Sequence, residues 1–361
     1  MPVSIHAHDE MAQDVMQIYE EAELDVLRAV ARQLEKGVTD PSTWAIRKSM
    51  ELRGINDRLT KIVANLSRNR KRITNELVKK AYQDASGRWV VEAREYLDVM
   101  GAEPIKNMNK VALIVDDLNR TMDAADRTIL RQCNDVYADI VGHVTAKAAT
   151  GAITYKEAVR QELEDFANRG VTSFVDRAGR RWEMSSYAEM ATLTGIEKAT
   201  LQGYVDTMRE YGYDLAVISS HAGACPICTA WEDVVVSVSG EDRHYPSLAE
   251  AQGAGVFHPR CMHDLNTYYP GISHTQALKR PAKVEKPSAE YTERSQLRNC
   301  ERNIRKWKRR MAVASDRASE QFAWSNVRKW QGEARNIVQT NKHGILRQYG
   351  REGGRQKLRF K

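Results

Sequence analysis

Two short cysteine–histidine clusters constrain this chain more than any other feature, because one bound cation would oblige them to meet in space. The first is His221-Ala-Gly-Ala-Cys225-Pro-Ile-Cys228, and thirty residues later comes His258-Pro-Arg-Cys261-Met-His263. Two thiolates separated by two residues grip a metal from a tight turn, and a second pair on a distant loop completes a tetrahedron. Sulfur combined with imidazole selects zinc (Zn2+). The spacing therefore predicts Cys225, Cys228 and Cys261 as ligands, with His258 or His263 as the fourth. His258 is preferred, since H-x-x-C repeats the spacing of C-x-x-C, and His221 stands by as a supporting or alternative ligand. The plainer reading is a set of buried thiols and core histidines with no metal. Against it, three of the five cysteines and three of the nine histidines fall between residues 221 and 263. An odd number of cysteines also argues against a disulfide framework. Cys133 and Cys300 lie within helical patterns and read as ordinary buried thiols.

A closed set of four protein ligands is architectural, whereas a catalytic zinc keeps a position open for water. No H-E-x-x-H occurs, and the H-x-E of the nucleobase deaminases is absent. No phosphate-binding G-x-x-x-x-G-K-[ST] is present either. Glu232, Asp233 and His244 lie nearby and have acid or base chemistry, but no catalytic residue is assigned and the chain is expected not to be an enzyme.

Around the clusters the sequence is largely helical. Leu24, Leu27, Ala31 and Leu34 give the three-and-four spacing of one buried face, and Gly37 ends that element. Asp40 and Pro41 read as a cap and first-turn pair. Further helices are predicted over 41–66, 70–99 and 109–149. Thr154 with Glu157 forms a capping-box pattern closed by Gly170. The segment FVDRAGRRWEM then reads as two short strands about a turn at 177–179, and Ser186 with Glu189 is expected to open a helix reaching about Tyr211. LAVISSH at 215–221 and VVVSVS at 234–239 are strand candidates. After Pro281 and Pro287, Leu297, Ile304, Trp307 and Met311 share one face, as do Val327, Trp330, Ala334 and Ile337, so a helical hairpin is predicted. The last residues, REGGRQKLRFK, have almost no apolar pattern and read as disordered without a partner.

Charge divides the chain. Residues 271–361 hold 23 Lys and Arg against 8 Asp and Glu, net +15, which leaves net −8 for residues 1–270. Such asymmetry points to a polyanion or an acidic protein surface as the partner of the tail, the alternative being a solvated helical face. Trp307, Trp324 and Trp330 among these cations could stack on bases, although their spacing favours a hairpin core. No apolar stretch approaches the roughly 18 residues of a membrane span, so a soluble protein is expected. The start, MPVSIHAHDEMAQD, shows no secretory signal, so synthesis in a reducing cytoplasm is expected.

Four motifs in order resemble the phage minor capsid protein 2 family, related to the minor head protein of phage Mu. DRAGRRW at 176–182, with Tyr187 and Met190, is similar to the family's core signature. SSHAGACPICTAWED at 219–233 resembles its S-x-H-x-G-A-x-P-x-H-x-x-W-Q-G segment, His258–His263 its N-C-R-H ending, and ERSQLRNCERNIRKWKRR at 293–310 its basic C-terminal helix. The family pattern has arginine and histidine where this chain has Cys225 and Cys228, and keeps counterparts of His221, Cys261 and His263. The resemblance thus makes His221 and His263 rivals of His258 and Cys225, and Asp233 replaces the family's glycine.

The resemblance implies a structural component of the virion, in few copies near the portal vertex, that assists head morphogenesis and DNA packaging or ejection. Its partners would be portal and capsid proteins, with DNA on the basic C-terminus and no membrane. The expected architecture is α+β and predominantly helical. It has a helical region (1–151) for docking on portal or capsid, a zinc-stabilised α+β domain (152–280), and a basic hairpin with a flexible tail (281–361). The competing functions are a zinc-dependent nucleic-acid binder or nuclease, and an effector ejected with the phage DNA.

Overall fold

The computed structural model describes residues 5–38, 41–97, 101–175, 179, 181–221, 223–273, 281–282, 286–342 and 344–353. Asp40, the turn at 177–178 and the tail beyond residue 353 lie outside them. The chain is predominantly helical with two small antiparallel sheets, the expected α+β class. Among the described residues no helix is long and apolar enough to cross a membrane.

Helix α1 (Ile5–Glu35) buries Leu24, Leu27, Ala31 and Leu34, the face read from the sequence, and Val15, Tyr19, Val26 and Val30 as well. The next two helices differ from expectation. The break falls at Glu51, between α2 (Pro41–Met50) and α3 (Leu52–Tyr96), and α3 runs unbroken through residues 66–70. The reason is Arg70. Its side chain is fully buried and bonds Asn119 at 2.9 Å, Asp126 at 3.2 Å and Asp123, all on α4 (Met108–Ala149). The predicted gap between residues 66 and 70 is the continuous middle of one helix. Tyr19 of α1 donates to the same Asp126 at 2.6 Å.

Thr154 caps α5 (Tyr155–Arg169) by accepting from the Glu157 amide at 3.1 Å, and Gly170, at φ +69, ends it. The other half of the box is not formed, because the Glu157 carboxylate turns to Arg160 at 2.9 Å. Strands β1 (Thr172–Val175) and β2 (Arg181–Glu183) pair antiparallel. Helix α6 (Met184–Glu210) starts two residues before Ser186, so Ser186 is not its cap. Glu189 is buried instead and bonds Arg351 at 2.7 Å and Arg260.

The second sheet has β3 (Leu215–Ile218) at its centre, flanked by β4 (Val235–Ser237) and β5 (Leu265–Thr267), both antiparallel to it. Among the described residues two large hydrophobic cores result, beside smaller clusters in the hairpin and on the other face of the sheet. The larger joins α1 to α6 and takes Ile140 and Val144 from before residue 151 together with Leu163, Phe166 and Met184 after it. The smaller packs Ala85, Trp89 and Ala93 of α3 and Tyr204 and Met208 of α6 under the sheet, with Cys228, Trp231 and Val256 of the loops.

Helices α3 and α6 approach so closely that a Cβ on Gly203 would lie 2.3 Å from the Tyr82 carbonyl oxygen. Alanine in a helix ordinarily gains about 1 kcal/mol over glycine. Here the backbone clash reverses the sign, and Gly203→Ala is expected to destabilise by about 1–3 kcal/mol, read as a lower denaturation midpoint.

The predicted hairpin is present, as α9 (Ala289–Ala312) and α10 (Arg317–Thr340), with Asp316 capping α10 through the Ser319 amide at 2.7 Å. Leu297, Ile304, Met311, Val327 and Ala334 are buried in it, while Trp307 and Trp330 are half-buried. The charge on α9 is not a solvated face. Arg305, Lys308 and Arg309 are buried against the body. Arg309 bonds the Ala167 carbonyl at 3.0 Å and Glu183 at 2.9 Å and faces Glu23 at 3.5 Å. Arg305 lies 3.7 Å from Glu20 and donates to the Arg351 carbonyl at 2.7 Å. Arg351 belongs to a 3₁₀ turn (Tyr349–Glu352) that returns to α1. The acidic surface that meets this part of the basic region is the chain's own.

Candidate metal centre

Strand β3 delivers the chain to His221 and the first cluster. Cys225 caps a single helical turn, α7 (Pro226–Thr229), and its sulfur accepts from the Cys228 amide at 3.5 Å, with Pro226 fixing the first helical position. This is the local reason that C-x-x-C turns both sulfurs to one side. The second cluster follows α8 (Leu248–Gly253), which Ser247 and Glu250 hold with a complete capping box. Phe257 and Arg260 both have left-handed backbones, at φ +58 and +69, and the Cys261 amide donates to the His258 carbonyl at 2.8 Å. Non-glycine residues in that conformation cost free energy, so the surroundings must hold the turn. Arg260 does so by reaching Glu189, and Arg88 of α3 ties the chain beyond it through Asp264 at 2.8 Å and the Leu265 carbonyl at 3.0 Å.

The clusters meet. Cys225 Sγ lies 3.1 Å from His258 Nε2, Cys228 Sγ 3.6 Å from Cys261 Sγ, and Cys261 Sγ 3.4 Å from His263 Nδ1. Among the described residues, potential ligand atoms within 4.8 Å of one another form two overlapping groups. One is Cys225, Cys228 and His258, the other Cys228, Cys261 and His263, so Cys228 belongs to both. His221 is in neither. Its ring centroid sits 4.3 Å from that of His263, and its amide donates to Glu232 at 3.0 Å.

Both grouped imidazoles have their orientation fixed from behind. A carbonyl only accepts, so the 2.9 Å contact of His258 Nδ1 with the Pro259 oxygen places a proton on Nδ1, and in the neutral ring the Nε2 lone pair then faces Cys225. Likewise His263 Nε2 lies 3.1 Å from Glu232 Oε1, which leaves Nδ1 facing Cys261. A carbonyl or carboxylate behind an imidazole is the usual support of a metal-binding histidine. Glu232, which the sequence offers only as a possible acid or base, is thus an orienting residue. His244 is exposed and bonds Asp242 at 2.9 Å.

The sulfurs already share charge unequally. The Cys228 thiol, donating to Cys261, together with nearby His263, pulls Cys261 down to about 3. Cys228 is correspondingly pushed up. Cys225 is lowered, the Cys228 amide and His258 outweighing a burial that acts the other way. Glu197 of α6, buried beside Cys261, is pushed well above the carboxylate range by burial and then by that sulfur. The sequence reading missed Glu197; its only signal there is a glutamate on an apolar helical face.

The phage minor capsid protein 2 family matches residues 6–339, which takes in the helical body, both clusters and the whole hairpin up to its last turn. The chain belongs to the phage minor capsid protein 2 family. A structural protein of Lactococcus phage LL-H is 28% identical over 282 residues, covering 72% of this chain and 71% of that protein. No solved structure matches the chain. The segments 219–233 and 258–263 both lie within the matched residues, and they are the two loops that meet in this cluster.

Proposed function

We propose that this minor capsid protein is a structural part of the phage head, made in the host cytoplasm and placed in few copies at the portal vertex, where it assists head morphogenesis and the packaging or ejection of DNA. The observation that carries the reading is the family match over residues 6–339. The portal or capsid contact is assigned to the α2–α3 junction, where Ile46 and Met50 are 65% and 78% exposed beside exposed Leu52, three apolar side chains close together in sequence. DNA contact at the C-terminal region falls to Arg317, Arg328 and Arg335. They share the outer face of α10, are exposed, and among the described residues form no ion pair.

The donor set fits zinc. Three sulfurs and two pre-oriented imidazoles converge where two loops cross; the expected set is Cys225, Cys228 and Cys261 with His258, which needs Cys261 to close from its own group onto the first, and His263 is the rival fourth ligand. Held by four side chains, such an ion would be structural, fastening the first loop to the second and both to the sheet.

The test is a phage whose copy of this gene is interrupted. We expect purified wild-type virions to contain the protein, gold-labelled antibody to mark a single vertex, and the interrupted phage to yield few DNA-filled heads. A normal yield of infectious heads lacking the protein would end the proposal.

A further inference from the structure

While Arg305, Lys308 and Arg309 of α9 turn into the body, a stripe of cations lies exposed on α3, in the part of the chain (residues 1–270) whose net charge is negative. Lys61, Arg68, Arg72 and Lys79 are seven, four and seven residues apart, which puts them on one side of the helix. All four are exposed. Among the described residues Lys61, Arg68 and Lys79 form no ion pair, and Arg72 has only a 3.9 Å contact with exposed Glu76. Their neighbours Arg70 and Lys71 differ, being bound to Asp123. The opposite face, with Leu59, Val63, Leu66 and Val78, is buried in the larger core, so the backbone behind the stripe is rigid.

From these observations we infer that the α3 stripe is a docking surface for the phosphate backbone of duplex DNA. At 1.5 Å per residue the four cations span about 27 Å. Duplex DNA carries one charge per strand every ~3.4 Å along its axis, so a stripe of that length faces about eight base-pair steps. The surface between the cations is polar: Asn65 and Asn75 are exposed there, and among the described residues no large apolar side chain of α3 is exposed between Leu52 and Val91. A protein partner is ordinarily gripped by apolar and aromatic anchors at the centre of its interface, and this surface offers none. Cations and amides without anchors are what phosphate contacts use, and such contacts carry no base specificity. The stripe is independent of the vertex placement and of the α10 arginines.

The experiment uses the full-length protein, a labelled 30-base-pair duplex of arbitrary sequence, and fluorescence anisotropy from low to moderate salt. The variant replaces Lys61, Arg68, Arg72 and Lys79 with Gln; a second replaces Arg317, Arg328 and Arg335 with Gln. Because all seven positions are exposed, both should melt like the wild type, and paired substitutions (Lys61→Gln with Arg68→Gln, Arg72→Gln with Lys79→Gln) serve if the quadruple variant does not. Each phosphate contact adds about 0.9 to the slope of log K against log salt, so the α3 variant should flatten that slope by about 3 to 4 and weaken binding at least tenfold near 100 mM salt. The α10 variant should leave that share intact. An α3 variant with wild-type affinity and slope overturns the inference. So does a wild type that binds polyglutamate as tightly as duplex at equal charge concentration, because the partner would then be an acidic protein.

Discussion

Purified protein is expected to contain about one zinc per chain, and Cys228→Ser is expected to abolish that content. Cys228 is the informative position because it belongs to both ligand groups, so its loss dismantles either arrangement. The histidines then separate the two. If His258 is the fourth ligand, His258→Ala loses the metal, whereas His263→Ala keeps it with affinity reduced about 10- to 100-fold, the usual result of removing a supporting group. The opposite pattern would assign His263. A ligand that binds only the folded chain at a thousand times its Kd contributes about 4 kcal/mol. At about 2–4 °C per kcal/mol, chelation should lower the melting temperature by about 10 °C. Protein that arrives without metal and melts identically with and without chelator has no such centre.

The second large effect is expected from Arg309→Ala. This side chain is 1% exposed and stands between Glu23, Glu183 and the Ala167 carbonyl, joining α9 to α1, α5 and β2. Removing one partner of a buried pair leaves its carboxylates uncompensated, at a cost of about 3–5 kcal/mol, measured by urea denaturation. Arg335→Ala on the outer face of α10 should change stability by no more than about 0.5 kcal/mol. Equal effects of the two would mean that α9 does not hold the hairpin through buried charge. The same layer gives a pH dependence. Burial pushes Glu20 up to about 8, against the pull of Arg305 and Lys308. A folded value above the unfolded one means that its contribution is complete below the unfolded carboxylate value and is lost as pH rises through about 8. The hairpin should loosen as pH rises from about 4.5 to about 8, with little further change above that, detectable as faster proteolysis of the hairpin.

Much of this was legible in the sequence wherever one local rule decides the outcome. The three-and-four spacing found α1 and both hairpin helices, Gly170 and Thr154 bounded α5, and the two Cys–His spacings found every donor in the two ligand groups. Long-range partners were not legible. Arg70 reads as the start of a new helix until Asp126 of α4 is set against it, and Ser186 reads as a cap until Glu189 is claimed by Arg260 and Arg351. On the sequence alone the cations of α9 await an outside partner or solvent, whereas Arg305 and Arg309 are buried in the fold, since their carboxylates come from α1 and β2, well over a hundred residues earlier in the chain. The supporting roles of Glu232 and Glu197 were hidden for the same reason, because a helical or loop position does not state which sulfur it will face.

One consequence concerns mechanics. Helix α3 is 45 residues long, about 67 Å at the usual rise. Leu59 and Leu66 are embedded in the larger core, Ala85 and Trp89 in the smaller, and nothing interrupts the helix between them. The two cores are therefore mounted on one spar and cannot swivel independently without breaking it. A torque applied at the apolar α2–α3 corner would be felt, undamped, at the sheet that carries the thiols. A part built this way keeps fixed distances between its neighbours under load.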